Sequence, residues 1–366
     1  MAGPGLEAAE GLERPAAPKV SPPGPRAVAD VVAPVEDHAP DPRGFLAQFT
    51  DGAILDEIQR APHLFSYLQQ ILDETKKKGL FILTGSNNFL LQENITQTLS
   101  GRIAYLQLLP FSMAELKTAK KLKATYNSAV FSGGYPEVIA KNIDPVDWYA
   151  GYIATYVERD VRQLKNISNL AQFTRLLRLC AGRTGQELNM TALSNDCGID
   201  QKTVAAWLSV LQSSYVIYLL KPYYKNFNKR ITKAPKLYFY DTGLACSLLG
   251  ITAASDITLH SARGSLFENL IISELLKHQF NKGAIDNLYY WRDKTGNEVD
   301  LLVDHPDHLT AIELKSGATI AADFFRGLNY FSSVNTNPTS KVLVYGGKLE
   351  QMRSDGTVIR PWNNLE

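Results

Sequence analysis

The chain is predicted to be α/β, on three observations. Residues 52–86 read strand, helix, strand, which makes one right-handed crossover of a parallel sheet. Residues 170–240 read three short helices followed by two strands. Residues 263–345 read a long helix, a strand hairpin, a short helix and a last strand. At 366 residues, two or three domains are expected.

Composition narrows the function classes. A hydrophobic content of 45% with 20% charged residues fits a globular protein with a sizeable core. The net charge is +1, so no overall field drives binding to nucleic acid or membrane. Cys180, Cys197 and Cys246 are far apart and odd in number. They suit reduced core positions in a cytoplasmic protein better than disulfides or zinc. No apolar run approaches membrane-spanning length and no apolar signal core opens the chain, so no membrane partner is expected.

Nine of the 18 prolines fall within residues 1–42. Residues 1–40 are therefore expected to be a disordered Pro/Ala-rich segment, with Val31, Val32 and Val35 as one short edge strand interrupted by Pro34. Ala53, Ile54 and Leu55 form an apolar run that stops at Asp56 and Glu57, as a buried parallel strand does where it emerges at its carboxyl end. Ligands sit at that edge of an open α/β sheet. Paired acids there suit phosphate chemistry, one holding Mg²⁺ through its water and the other orienting an attacking water. Pro62 to Lys78 has helical spacing, with Leu64, Leu68, Ile71 and Leu72 on one face. Leu80 to Leu83 is a second strand, ending in Thr84-Gly85-Ser86-Asn87. Ile103 to Leu108 reads as a further strand, Phe111 to Lys123 as a helix, Phe131 to Pro136 as a turn and Trp148 to Leu164 as a long helix.

The order of Gly52 to Glu57, Leu83-Thr84-Gly85-Ser86, Leu99-Ser100-Gly101-Arg102 and Leu109-Pro110-Phe111-Ser112 resembles the prokaryotic AAA+-type ATPases that carry a C-terminal domain of unknown function. The resemblance spans residues 41–345. It implies a truncated parallel-sheet AAA+-like core at residues 41–125, with ATP and Mg²⁺ as cofactors. Asp56 and Glu57 would be the Walker B pair, with Asp56 on the Mg²⁺. Ser86, or alternatively Thr84, would be the polar sensor beside the γ-phosphate, and Arg102 an arginine finger. The chain departs from that pattern in one place: no Gly-x-x-x-x-Gly-Lys-Ser/Thr loop occurs in it. Gly346-Gly347-Lys348 lacks the upstream glycine and is followed by Leu349. With the phosphate cradle and its lysine missing, ATP binding is expected to be weak or absent. In the fold resembled, the strand leading into that loop lies between Leu80–Leu83 and Ile103–Leu108. A gap with unpaired strand edges is therefore expected between those two.

Within residues 126–250, Leu170 to Cys180 places Phe173, Leu176, Leu177 and Cys180 on one face, and Thr191 to Asp196 is a second helix. Asp200 is a good N-cap for a third helix to Gln212, with Val204, Trp207, Leu208 and Leu211 inward. Strands at Tyr215–Leu220 and Lys236–Tyr240 flank a basic loop. This is the order of a winged helix. Residues 159–236 hold 13 Lys+Arg against four Asp+Glu, a local net of +9. Gln201, Lys202 and Thr203 open the third helix, where base-edge contacts would arise, and Lys225, Lys229 and Arg230 would hold phosphates. A protein-contact role for this basic segment is the alternative.

In residues 260–350, Asp300 is followed twelve residues later by Glu313-x-Lys315 on a strand hairpin, which resembles the PD-(D/E)xK nuclease core. Alternate strand residues share a face, so Glu313 and Lys315 point together. Asp300 and Glu313 would hold Mg²⁺ or Mn²⁺, Glu268 on the preceding helix would add a third carboxylate, and Lys315 would orient water. Residues 351–366 read as a loose tail. The whole is thus an AAA+-type ATPase-family chain, impaired in ATP binding, acting on or near DNA. The alternatives are a metal-dependent DNA nuclease or a non-catalytic DNA- or protein-binding module, with a protein partner or a second copy of the chain as further expected partners.

Overall fold

Gly52 opens the first strand pair, and only glycine fits there. Its φ is +96°, and a Cβ would fall inside contact distance of the Leu80 carbonyl oxygen. The computed structural model describes residues 27–30, 41–75, 77–85, 99–156, 167, 169–224 and 233–365. They fall into two units, the first ending at residue 86 and including residues 97–102, the second holding the rest.

In the first unit, β1 (Ala27–Asp30), β2 (Ala53–Asp56) and β3 (Phe81–Leu83) form a parallel sheet in the order β1-β2-β3. Between β1 and β2 lies α1 (Pro42–Ala47), capped by Asp41 with proline in its first turn. α2 (Leu64–Thr75) crosses between β2 and β3 and buries Leu64, Phe65 and Leu68. Ile71 and Leu72, expected inward, are half-exposed, and Phe65 takes the inward place. Two further expectations need correction. Residues 27–30 are in a strand rather than disordered, because they give β2 its second ladder. The Val31, Val32 and Val35 strand lies outside the described residues. Ile103 to Leu108, in the second unit, is irregular, with Leu108 91% exposed, because among the described residues no strand pairs with it. Among the described residues Ile103 to Leu108 is therefore no strand that could flank the expected gap. β2 is central with both edges paired, and β3 lies at the margin among the described residues.

The second unit opens with α3 (Met113–Thr118), shorter than expected, held by a reciprocal capping box between Ser112 and Glu115. α4 (Tyr126–Ser132), α5 (Pro136–Ala140) and α6 (Pro145–Thr155) follow. The helix expected to reach Leu164 starts three residues early, at a proline capped by Asp144, and its last residues lie outside the described ones. Buried Asp241 clasps this region. Its Oδ2 accepts from Gly134 N (2.7 Å), and its Oδ1 accepts from Tyr149 Oη (2.7 Å) and Leu244 N (3.0 Å). Gly133, at φ +61°, packs so closely on Tyr149 and Asp241 that any side chain would collide with them. The glycine turn and the Asp241-Thr242-Gly243-Leu244 segment are thus two halves of one joint.

Next come α7 (Leu170–Gly182), α8 (Met190–Cys197) and α9 (Gln201–Ser213), each capped by a side chain: Asn169, Asn189 and Asp200. Their inward faces are the expected ones, with Phe173, Leu176, Leu177, Val204, Trp207, Leu208 and Leu211 buried. All three cysteines are free and buried. β4 (Ile217–Pro222) and β5 (Lys236–Phe239) pair antiparallel, and α10 (Thr242–Leu248) follows. α11 (Arg263–Asn281) then leads into β6 (Leu288–Arg292), β7 (Glu298–Asp304) and β8 (Leu309–Lys315). After α12 (Arg326–Val334) come β9 (Thr339–Tyr345), β10 (Gln351–Met352) and β11 (Val358–Pro361).

These strands make one eight-stranded sheet in the order β10-β11-β9-β8-β7-β6-β4-β5. The β4–β5 hairpin joins it because β4 runs parallel to β6 at Lys221 and Pro222. Leu266, Phe267, Leu270 and Ile271 of α11 enter the main core with Leu301, Ile312 and Leu314. Leu328 and Phe331 of α12 pack on Val299, Leu302, Leu309 and Ala311. The sheet therefore lies between helices on both faces, and its strands are correspondingly apolar. The expected loose tail at residues 351–366 is corrected: β11 runs parallel to β9 with Ile359 and Trp362 buried, because β9 needs a second edge partner.

Candidate functional site

Two groups of chemistry-bearing residues emerge. In the first unit, Asp56 ends β2 and Thr84 follows β3, so the parallel register brings them side by side. The Thr84 hydroxyl and the Glu57 N–H both donate to Asp56 Oδ1. Glu57 sits at φ +50°, turning the chain away from the strand, and Gln59 Nε2 donates to its Oε2 at 2.5 Å. The structure thus pairs Asp56 with Thr84, while Ser86 lies outside the described residues. Arg102 forms a two-pronged pair with Asp73 of α2, Nε to Oδ1 at 2.6 Å and Nη2 to Oδ2 at 3.0 Å.

The second group lies on the eight-stranded sheet. The β7–β8 ladder pairs Leu301 with Ile312, and beyond it the Asp300 side chain takes over, accepting from Leu314 N at 2.8 Å. Lys315 Nζ lies 2.6 Å from Glu313 Oε1 and 3.5 Å from Asp300 Oδ2. Glu313 is 7% exposed, and its Oε2 is buried with no hydrogen-bond partner. Gly327 of α12 comes so close to that oxygen that a Cβ there would crowd it. The lysine is 30% exposed along its side chain, so the group opens to solvent on its side.

Glu268 reaches the same neighbourhood from α11. Both the buried Lys236 and the Tyr238 hydroxyl bond its Oε1, and Lys236 also pairs with Glu298. Asn269, fully buried, fixes this placement. Its amide accepts from Phe239 N and donates to Phe239 O, both at 2.7 Å, so a side chain continues at Phe239 the bonding that Gly185 and Gln186 give the same edge of β5 at Leu237.

The electrostatics follow from burial. Desolvation, with the Asp300 charge adding to it, pushes the Glu313 carboxyl up to about 8 against the pull of Lys315. Desolvation pushes Glu268 up to about 7 against Lys236, with Asp300 again adding. Burial opposes the charge on Lys236, but Glu268, Glu298 and Asp300 outweigh it and raise its pKa. Lys315 is raised likewise, burial being outweighed by Asp300 and Glu313. Among the described residues no three His, Cys, Asp or Glu side chains are grouped closely enough to hold a metal ion together.

Asp300, Glu313 and Lys315 are thus brought together as the spacing implied. Lys236, Tyr238, Glu298 and Asn269 were missed as site residues. The available signal was alternation: Lys236 with Tyr238, and Glu298 with Asp300, share strand faces. Of the basic-segment residues, Gln201 donates to Thr191 Oγ1, and the Thr203 hydroxyl is engaged by Asp200. Lys202 is exposed, and Lys225, Lys229 and Arg230 lie outside the described residues. No described helix is long and apolar enough to cross a membrane.

Family models match the chain in three blocks. These are an AAA domain over residues 31–117, a domain of unknown function (DUF8612) over 123–255 and a domain of unknown function (DUF4143) over 263–365. An uncharacterized protein of Mycobacterium tuberculosis is 28% identical over 298 residues, covering 81% of this chain and 66% of the relative. An uncharacterized protein of Methanocaldococcus jannaschii is 24% identical over 277 residues, covering 69% of this chain and 58% of the relative. A crystal structure of a Vibrio cholerae protein aligns over 85% of this chain and 87% of that one, at 12% identity and a TM-score of 0.22. The chain thus spans about two thirds of the length of the mycobacterial relative and less of the archaeal one. These matches support an AAA-like ATPase family for the amino-terminal part of the chain, with two domains of unknown function behind it.

Proposed function

We propose that the carboxyl-terminal part of this AAA-like chain is a metal-dependent phosphodiesterase of the PD-(D/E)xK type that acts on DNA, and that the 366-residue chain does not turn over ATP. One observation carries the first half. A lysine on β8 reaches both the carboxylate two residues before it and the Asp300 carboxylate of β7, and one oxygen of Glu313 is left buried and unpartnered. Hard divalent cations take carboxylate oxygens, and Mg²⁺ commonly binds through one or two carboxylates together with water and substrate phosphate. Asp300 and Glu313 fit that donor set. A cation bound there would polarise the phosphodiester. Lys315, at the solvent side, orients the attacking water or steadies the developing charge. Lys236 compensates Glu268 and Glu298, so the acidic residues remain folded together without a cation.

The test is DNA cleavage with Mn²⁺ or Mg²⁺ by the full chain. Lys315→Ala is expected to lower the rate by roughly 10²–10⁴ while leaving the fold intact. Equal inertness of the wild type and Lys315→Ala over single- and double-stranded substrates would leave a scaffold without activity. A supporting role in holding DNA falls to α7–α9 and the β4–β5 hairpin, read as a winged helix. The exposed Lys202 at the start of α9 and the local net charge of +9 favour it.

A further inference from the structure

A separate cavity of about 450 Å³ opens in the second unit, lined among others by Tyr126, Asn127, Thr258, Arg263, Lys348 and Trp362. Its volume lies within the ~300–1,000 Å³ range of small-molecule sites. Asp300, Glu313 and Lys315 do not line it, and neither does any other carboxylate.

Its charge is uncompensated. Arg263 is held in place by neutral partners only, donating from Nε to the Tyr126 hydroxyl at 2.7 Å and from Nη2 to the Ser316 carbonyl at 3.0 Å. No carboxylate pairs with Arg263 or Lys348 among the described residues. A guanidinium so oriented, with its charge unanswered and a lysine on the same cavity, suits a phosphate group. A second feature asks for a hydrogen-bond donor. Asn127 gives its amide to Thr258 Oγ1 at 2.9 Å, but its Oδ1 is buried without a partner. A buried acceptor left unpaired is unfavourable, and a ligand hydroxyl or amino group would pair it. Tyr126 and Trp362 supply aromatic wall beside these groups. Gly346 packs edge-on against Tyr126, where a Cβ would crowd both the ring and the Ser316 carbonyl, so the Gly346-Gly347-Lys348 turn brings Lys348 to the rim.

We propose that this cavity binds a phosphorylated nucleoside, either a free mononucleotide or the 5′-phosphorylated end of a nucleic-acid strand. Arg263 and Lys348 take the phosphate, and Asn127 Oδ1 accepts from the sugar or base. The site goes beyond the phosphodiesterase reading and does not depend on it.

Calorimetric titration of the full chain tests it, using AMP, adenosine, inorganic phosphate, and a trinucleotide with and without a 5′-phosphate. AMP or the phosphorylated trinucleotide is expected to saturate one site in the micromolar-to-millimolar range. The tighter of the two identifies the source. Adenosine, phosphate alone and the unphosphorylated trinucleotide should each bind about tenfold weaker or less. Lys348→Glu, at an exposed position, and Asn127→Asp should each weaken binding about tenfold, whereas Lys315→Ala should leave it unchanged. Absence of saturation by both phosphorylated probes in the millimolar range would overturn the proposal. So would phosphate binding as well as AMP, or an affinity unchanged in Lys348→Glu.

Discussion

Lys315 Nζ lies 2.6 Å from Oε1 of Glu313, whose other oxygen is buried without a partner. This one-sided pairing makes stability depend on pH. The folded state holds the Glu313 proton up to about 8, against an ordinary value of 4.5, so over that interval it binds more protons than the unfolded chain. The stability from this group is fully present below about pH 4.5 and is lost as pH rises through about 8. Glu313→Gln should therefore flatten the decline of melting temperature with pH. Lys315→Ala, which removes the nearby cation, should leave the onset of the decline in place and extend it to higher pH. Melting curves across the pH range decide this, and a wild-type stability that rises through this interval relative to Glu313→Gln contradicts it.

The amino-terminal unit presents Asp56 beside the Thr84 hydroxyl but has no phosphate loop in this sequence. The backbone N–H groups and lysine of such a loop normally neutralise the triphosphate. Titration of the 366-residue chain with Mg-ATP should show no micromolar binding. Turnover that disappears in Glu57→Gln would show that the Asp56–Glu57 pair works without the loop.

Asn269 bonds both main-chain groups of Phe239. Asn269→Ala leaves a buried donor and a buried acceptor unpaired, each worth ~1–3 kcal/mol, so a loss of about 2–6 kcal/mol is expected. Urea unfolding measures it. A change below about 1 kcal/mol would mean that water replaces the amide. Glu268, the next residue on the helix, should lose its fixed approach to Lys236 in the same variant.

DNA binding by the basic segment should respond to charge alone. Lys202→Ala and the pair Lys225→Ala with Lys229→Ala should weaken binding about equally across sequences. They should also flatten the salt dependence by roughly one unit per lost phosphate contact. Retention of full affinity in fluorescence anisotropy, independent of salt, would instead assign this segment to protein contact.

Much of the architecture was legible because it rests on local rules. The inward faces of α7 and α9 follow from apolar residues three and four apart, and the start of α9 follows from Asp200, whose side chain satisfies helix N–H groups two and three residues on. The Asp300, Glu313 and Lys315 group was legible for a similar reason. A two-residue strand period puts Glu313 and Lys315 on one face, and a short hairpin connection brings Asp300 beside them.

What only the tertiary structure decided is pairing between distant segments. Ile103 to Leu108 has strand composition but lies in no strand pair among the described residues, whereas Val358–Pro361, read as a tail, lies along β9. Strand propensity states only that a segment fits a pleated, half-buried surface, and whether such a surface exists depends on residues elsewhere in the chain. Lys236 and Glu268 stand 32 residues apart, and Lys236 and Glu298 stand 62 apart. Their meeting depends on Asn269 docking α11 against β5 at Phe239 and on β4 pairing with β6. No local pattern encodes those contacts, because each is stabilised only after the sheet has closed the long loops between its strands.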